Sequence, residues 1–211
     1  MGSLAALSAA IEARDPYSRG HSSRVTVFAQ AMARRIGLET ERVSVLRLGA
    51  LLHDIGKLAV PSTVLLKPGP LTEAEFGLMR RHPSAGARML RSLGAPETIL
   101  PVVLHHHERW DGDGYPDRIA GAHIPLIARI AAVADVWDAL TSDRSYRKGL
   151  EPRVALAHIA AGRGSHFDPK VVDAMLSLAA DWGYGMGADD GDPDEAWLAA
   201  ETCHEVASNR V

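Results

Sequence analysis

The sequence predicts an all-α protein, an irregular multi-helix bundle rather than an up-and-down one. Two observations carry that expectation. Apolar residues recur with a helical period through most of the 211 residues, with Gly, Pro and capping residues where helices would start and stop. No run alternates with period two for long enough to make a strand. Hydrophobic residues make up 46% of the chain, so a packed core is expected.

Taken in order, Leu4, Leu7 and Ile11 begin a helical pattern directly after Met1-Gly2-Ser3, as in a domain cut from a longer protein. Val25, Phe28, Ala29, Met32 and Ile36 form a 3.6-period stripe that Gly37 closes. Val43, Leu46, Leu48, Leu51, Leu52 and Ile55 make a more fully apolar helix, expected at the centre. Thr72 and Glu75 have the spacing of a capping box, for a helix running to about His82, and Pro83 opens the next. Ile124 to Thr141 reads as a long buried helix, and Asp168-Pro169 as N-cap and first residue of a helix over Lys170 to Ala180. The expected domain spans 4–180. From 181 to 211 the composition turns to Gly and Asp, an acidic linker leading to a short terminal helix near Asp194 to Val206.

Composition excludes several classes. A net charge of −3 gives no global basic footprint, so DNA is not an expected partner. The single cysteine, Cys203, cannot form an intrachain disulfide, which suits a cytoplasmic location. No secretory signal or membrane span is visible, since Arg129, Asp135 and Asp138 interrupt the most apolar stretch.

The chemistry lies in two strings. His105-His106-His107-Glu108 runs into Gly114-Tyr115-Pro116, and His53-Asp54-Ile55-Gly56-Lys57 lies some fifty residues upstream. Imidazole and carboxylate donors without thiolate suit divalent transition metals. On a helix, His53 and Asp54 would sit about 100° apart and reach two neighbouring ions, and a carboxylate at Asp54 can bridge them. Lys57, four residues after His53, would pair with a phosphate or protonate a leaving group, and Gly56 would leave room for substrate. His21 follows Gly20 at a helix start, and His82 and His106-His107 end helices. Asp135 lies in an apolar segment where an unpaired carboxylate is costly, so it pairs with a metal or a core arginine. His82 alone would equally serve a helix dipole. His105 reads as a packing or supporting residue; His123, His158, His166 and His204 read as structural or exposed.

The ordered set resembles the HD-GYP family, cyclic-di-GMP phosphodiesterases within the HD metal-dependent phosphohydrolases. The strings carrying it are Glu12-Ala13-Arg14-Asp15, Gly20-His21-Ser22, His53 to Lys57, Arg81-His82-Pro83, His106 to Pro116, Ala134 to Thr141 and Asp143-Arg144-Ser145-Tyr146-Arg147. The resemblance covers about Leu7 to Leu178. It implies an HD-type bundle with a central dinuclear site, in which His21, His53, Asp54, His82, His106, His107 and Asp135 hold two divalent ions, Fe or Mn. Asp54 would be the bridge and Lys57 would sit near the scissile phosphate. Arg144 and Arg147 would contact phosphate oxygens, Tyr115 would line the substrate groove, and Asp15 and Asp138 would support the site from behind.

The implied reaction opens cyclic-di-GMP to the linear dinucleotide pGpG and then GMP. The alternatives are a mixed cyclic dinucleotide or other nucleotide phosphoester as substrate, or a non-catalytic sensor. Implied partners are an N-terminal regulatory domain, a GGDEF-type or other signalling protein at the Gly-Tyr-Pro surface, and a second copy in a homodimer. One departure stands out: some members carry a glutamate four residues before the first histidine, helping to hold a third metal. Tyr17 occupies that position here, so two ions are expected.

Overall fold

In the computed structural model, which describes Arg14 and residues 20–143 and 148–184, the helical periods resolve into nine α-helices among the described residues. These are α1 (His21–Ile36), α2 (Thr40–Leu52), α3 (Ser62–Leu65), α4 (Glu73–Met79), α5 (His82–Ser92), α6 (Leu100–His105), α7 (Leu126–Thr141), α8 (Pro152–Ala161) and α9 (Pro169–Asp181). Short 3-10 turns occupy Ile55–Ala59, Glu97–Ile99 and Gly121–His123. No strand occurs among the described residues, only an isolated bridge between Arg163 and Phe167. The expected first helix, Glu12, Asp15, Tyr17, Arg144, Arg147, Cys203, His204 and the tail after Tyr184 lie outside the described residues.

The start and stop signals act as their chemistry requires. Gly37 takes φ 86° and its N–H turns back to the carbonyls of Ala33 and Arg34, which closes α1. Thr72 and Glu75 form a complete capping box at α4. The Asp168 carboxylate accepts from the Lys170 N–H, with Pro169 in the first turn of α9.

Three expectations change. The central helix does not run through Ile55: α2 ends at Leu52, His53 caps it, and Asp54 (φ −92°, ψ 4°) turns the chain into the 3-10 segment holding Lys57. His82 opens α5 instead of ending α4, which stops at Met79. The space kept by Gly56 belongs to α5 and not to substrate, since a Cβ there would lie 1.8 Å from the His82 carbonyl oxygen and 2.6 Å from the Gly86 nitrogen.

The main core joins α1, α2, α7, α8 and α9 through residues such as Met32, Leu46, Ile130, Trp137, Ile159 and Met175. A smaller cluster packs Leu52 and Ile55 against Leu90 of α5, Val103 of α6 and Ile99 in the 3-10 turn between them. Burying Leu52 and Ile55 contributes about 1.5–3 kcal/mol each, and pins the turn between them, His53-Asp54, against those helices. Asp135 stands between Ala134 and Val136 of the main core. The site therefore forms where the two clusters meet.

Candidate metal centre

The seven expected ligands arrive from separate elements and converge. His21 and His82 are the first residues of α1 and α5, His53 and Asp54 follow α2, His106 and His107 follow α6, and Asp135 lies within α7. All are buried except His107, which is partly so. Donor atoms of His21, His53 and Asp54 lie within 4.8 Å of one another, and so do those of His82, His106 and His107. Asp54 stands between the two groups. Its Oδ1 is 3.4 Å from His82 Nε2, while its Oδ2 is 3.5 Å from His53 Nε2 and 3.9 Å from His21 Nε2. Asp135 Oδ1 joins the first group, 3.1 Å from His21 Nε2 and 3.8 Å from His53 Nε2.

Helix ends orient the rings. Nδ1 of His53 donates to the Ala50 carbonyl (2.7 Å), that of His82 to Met79 (2.9 Å), and that of His106 to Val102 and Val103 (3.1 and 3.0 Å). With the proton held on Nδ1, each Nε2 faces the centre as an acceptor. Nε2 of His82 and Nε2 of His106 then meet at 3.3 Å, a contact that favours positive charge between them. Burial, reinforced by neighbouring positive charge, pushes His82 down to about 4 and His106 down to about 3, and holds His107 well below the usual imidazole range. These rings are neutral at pH 7, the ligating form.

The carboxylates are ionised. Burial alone would raise Asp54, but Lys57, whose Nζ donates to Oδ2 at 2.7 Å, and the surrounding imidazoles hold it well below the carboxylate range. His21 is different. Burial lowers it, yet hydrogen bonds to Asp135 and Asp138 outweigh burial and push it up to about 9. A proton on its Nε2 and a divalent cation are alternative ways to neutralise the same carboxylates.

His21 is also the best braced of the candidate ligands. Its Nδ1 donates to Asp138 Oδ2 at 2.7 Å, and Arg24 grips both oxygens of Asp138 at 2.5 and 3.0 Å. Ser142 adds a hydrogen bond to Asp138 Oδ1. Asp138 thus stands behind His21, fully occupied and buried.

The donor set fits divalent cations. His53 Nε2 and His107 Nε2 are buried without a hydrogen-bond partner, and both belong to this cluster. Each orphaned buried group costs about 1–3 kcal/mol, and a cation at each ligand group would remove that cost. Nitrogen and oxygen donors without sulfur suit divalent transition metals.

A cavity of about 560 Å³ opens over His106, His107 and Asp135. Tyr115 lines it, stacked on His107 (ring centroids 4.7 Å apart) and edge-on to Phe76. The Gly-Tyr-Pro turn folds back so tightly that a Cβ on Gly114 would lie 2.3 Å from the Arg109 nitrogen. The Asp117 N–H anchors the turn to Glu108 Oε1 at 2.7 Å.

Several site residues escaped the sequence reading. Arg24 had a usable signal, three residues after His21 on one helix face. His158 and His166, read as structural or exposed, line the cavity, and so do Arg88 and Arg118. Nothing in their local sequence marks them.

Comparison with known proteins agrees with this geometry. Residues 5–171 match the HD domain family. The chain is 46% identical over 177 residues to the cyclic di-GMP phosphodiesterase response regulator RpfG of Xanthomonas campestris, covering 82% of this chain and 46% of that protein. It is 48% identical over 169 residues to the cyclic di-GMP phosphodiesterase PA4108 of Pseudomonas aeruginosa, covering 79% and 40%. It therefore spans less than half the length of either relative. Its fold is similar to the crystal structure of a cyclic GMP-AMP specific phosphodiesterase of Vibrio cholerae, V-cGAP3, with a TM-score of 0.67 and 20% identity, covering 98% of this chain and 59% of that one. With the His-Asp doublet on its turn and the Gly-Tyr-Pro loop over the centre, the chain belongs to the HD domain family and carries the ordered motifs of its HD-GYP branch.

Proposed function

We propose that this chain is the catalytic module of a metal-dependent phosphodiesterase that opens cyclic-di-GMP to the linear dinucleotide pGpG, and cuts that on to GMP. The observation that carries the reading is Asp54. One carboxylate directs its two oxygens at two histidine groups, beside a cavity large enough for a nucleotide ligand. The similarity to two cyclic di-GMP phosphodiesterases supports the substrate class.

In this reading His21, His53, Asp54 and Asp135 would hold one divalent ion, and His82, His106 and His107, with Asp54, would hold a second. Ions bound there would supply Lewis-acid chemistry, lowering the pKa of water and stabilising negative charge on the phosphate oxygens. The protein's own residues do the rest. Asp138 and Arg24 fix the His21 ring, and backbone carbonyls fix His53, His82 and His106, so no ligand must reorganise during the reaction. Lys57 keeps Asp54 ionised and carries the proton that the leaving oxygen needs. Tyr115 offers a ring face to the substrate, and Arg144 and Arg147 bind phosphate oxygens as forked donors.

Incubating anaerobically purified, metal-analysed protein with cyclic-di-GMP and following products by chromatography and mass spectrometry tests the proposal. The expected result is pGpG first and GMP later. Fully metallated protein that turns over no cyclic dinucleotide would overturn it.

A further inference from the structure

Arg118 is the one non-glycine residue, among the described residues, held at positive φ (54°). An arginine is strained in that region, whereas a glycine would not be. Its neighbour's N–H is tied to Glu108, so the loop enforces the conformation. The side chain is exposed on the cavity wall, with no hydrogen-bond or ion-pair partner among the described residues. Of the other four cavity arginines, two are engaged: Arg109 pairs with Asp111, and Arg80 pairs with Glu73 and lies over the Phe76 ring. Strain and a free guanidinium at one cavity residue together call for a ligand.

The surroundings indicate which part of a ligand. Tyr115, three residues upstream in the same turn, sets its ring in the cavity near Phe76. Aromatic rings are the surfaces on which nucleobases stack, and an arginine beside them meets a base edge. Arg81 and Arg88 also line the cavity, seven residues apart on one side of α5 with Ser84 between them, and are placed to answer phosphate charge.

Resting on the cyclic-dinucleotide reading above, we infer that Arg118 determines base specificity. It donates two parallel hydrogen bonds to O6 and N7 of a guanine packed against Tyr115 and Phe76. The preference follows from donor counting. Guanidinium has donors only, and guanine offers two acceptors on that edge. Adenine offers N7 beside an amino group that is itself a donor, so one of the two bonds is replaced by repulsion.

The test measures kcat and KM for cyclic-di-GMP, cyclic-di-IMP and cyclic-di-AMP, with thermal unfolding, on the wild type, Arg118→Gly and Arg118→Lys. Inosine keeps O6 and N7. The expected result for Arg118→Gly is a fall in kcat/KM of about ten- to a hundredfold on both the guanine and inosine substrates, mostly through KM. The adenine substrate should lose much less, and the melting temperature should not drop, because glycine relieves the strain. Arg118→Lys keeps the charge without the fork and should recover only part of the loss. An equal loss on all three substrates, the mark of a phosphate contact, overturns the inference, as does a glycine variant that keeps its guanine preference. A metallated wild type that cleaves none of the three overturns the functional reading as well, whereas cleavage with preference intact in Arg118→Gly overturns only the role of Arg118.

Discussion

Gly56→Ala is a one-carbon change, yet the structure predicts that it disables the site. The added Cβ would sit 1.8 Å from the His82 carbonyl oxygen, whereas ordinary contact begins at 3.4 Å. Either the 3-10 turn carrying Asp54 or the start of α5 must retreat by about 1.5 Å, and neither atom in conflict is a flexible side-chain tip. Overpacking of this kind costs about 1–3 kcal/mol, and a backbone-against-backbone clash belongs at or above the upper end. In a chain of this size that lowers the melting temperature by roughly 5–10 °C. The larger effect falls on geometry. The same movement separates Asp54 Oδ1 from His82 Nε2, now 3.4 Å apart, and so splits the two ligand groups at the residue that joins them. A misplacement of about 1 Å in a preorganised site costs on the order of a hundredfold in rate. Thermal unfolding, metal content and turnover measured on one preparation test both halves. Gly77→Ala is the control: it lies within α4 with nothing within 4 Å of the new Cβ, and should be neutral or stabilise by up to about 1 kcal/mol. Wild-type activity and stability in Gly56→Ala would show that the turn and α5 are not in rigid contact, and the argument would fail.

The remaining predictions concern the same centre and its surroundings. His53→Ala or Asp54→Ala should abolish hydrolysis while the far-ultraviolet circular dichroism stays helical, and near-wild-type turnover at matched metal content would remove the proposed centre. Lys57→Ala should mainly lower kcat and Arg144→Ala mainly raise KM, so an unchanged kcat in the first with an unchanged KM in the second would reverse the assigned roles. Chelation should lower the melting temperature and Mn²⁺ should restore it, since a ligand at a hundred times its Kd adds about 2.7 kcal/mol; elemental analysis should give two ions per chain, and three at full occupancy would refute the reading of Tyr17. Glu75 is held down to about 2 from its ordinary 4.5 by hydrogen bonds first from Lys67 and then from the Thr72 backbone. A depressed carboxylate stabilises the fold above its unfolded value, and that contribution is lost as pH falls from about 4.5 towards 2. The Glu75 carboxylate should titrate near 2 by NMR and rise in Lys67→Met, whereas a wild-type midpoint near 4.5 would show that the capping box does not hold in solution.

What the sequence made legible was local. Stops at Gly37, the Thr72–Glu75 box and Asp168-Pro169 are set by backbone chemistry within a few residues, and each acts as read. The ends of α2 and α4 were misplaced because apolar periodicity continues through Ile55 and up to His82. What stops α2 is tertiary: a close approach between Gly56 and α5 is not written in the hydrophobic pattern on either side. The residues that converge on the candidate centre could be singled out because histidine and aspartate in that ordered set have few other uses. Their arrangement into two groups about Asp54 was not, since it depends on helix starts and helix ends meeting at one point.

The arginines show the same limit from the other direction. Arg81, Arg88 and Arg118 look alike in sequence, as do most surface arginines, and Arg24 differs only in following His21 by three residues. The fold gives them different tasks by giving them different neighbours. Arg24 finds a buried carboxylate, is fixed by it, and in turn fixes His21. Arg118 has no such partner, so its charge and its five donors remain available to whatever enters the cavity. A side chain whose bonds are already made can only position others, while one left unpaired on a concave wall can discriminate. The distinction between a residue that builds this site and one that reads its ligand therefore lies in pairing, which only the three-dimensional arrangement reveals.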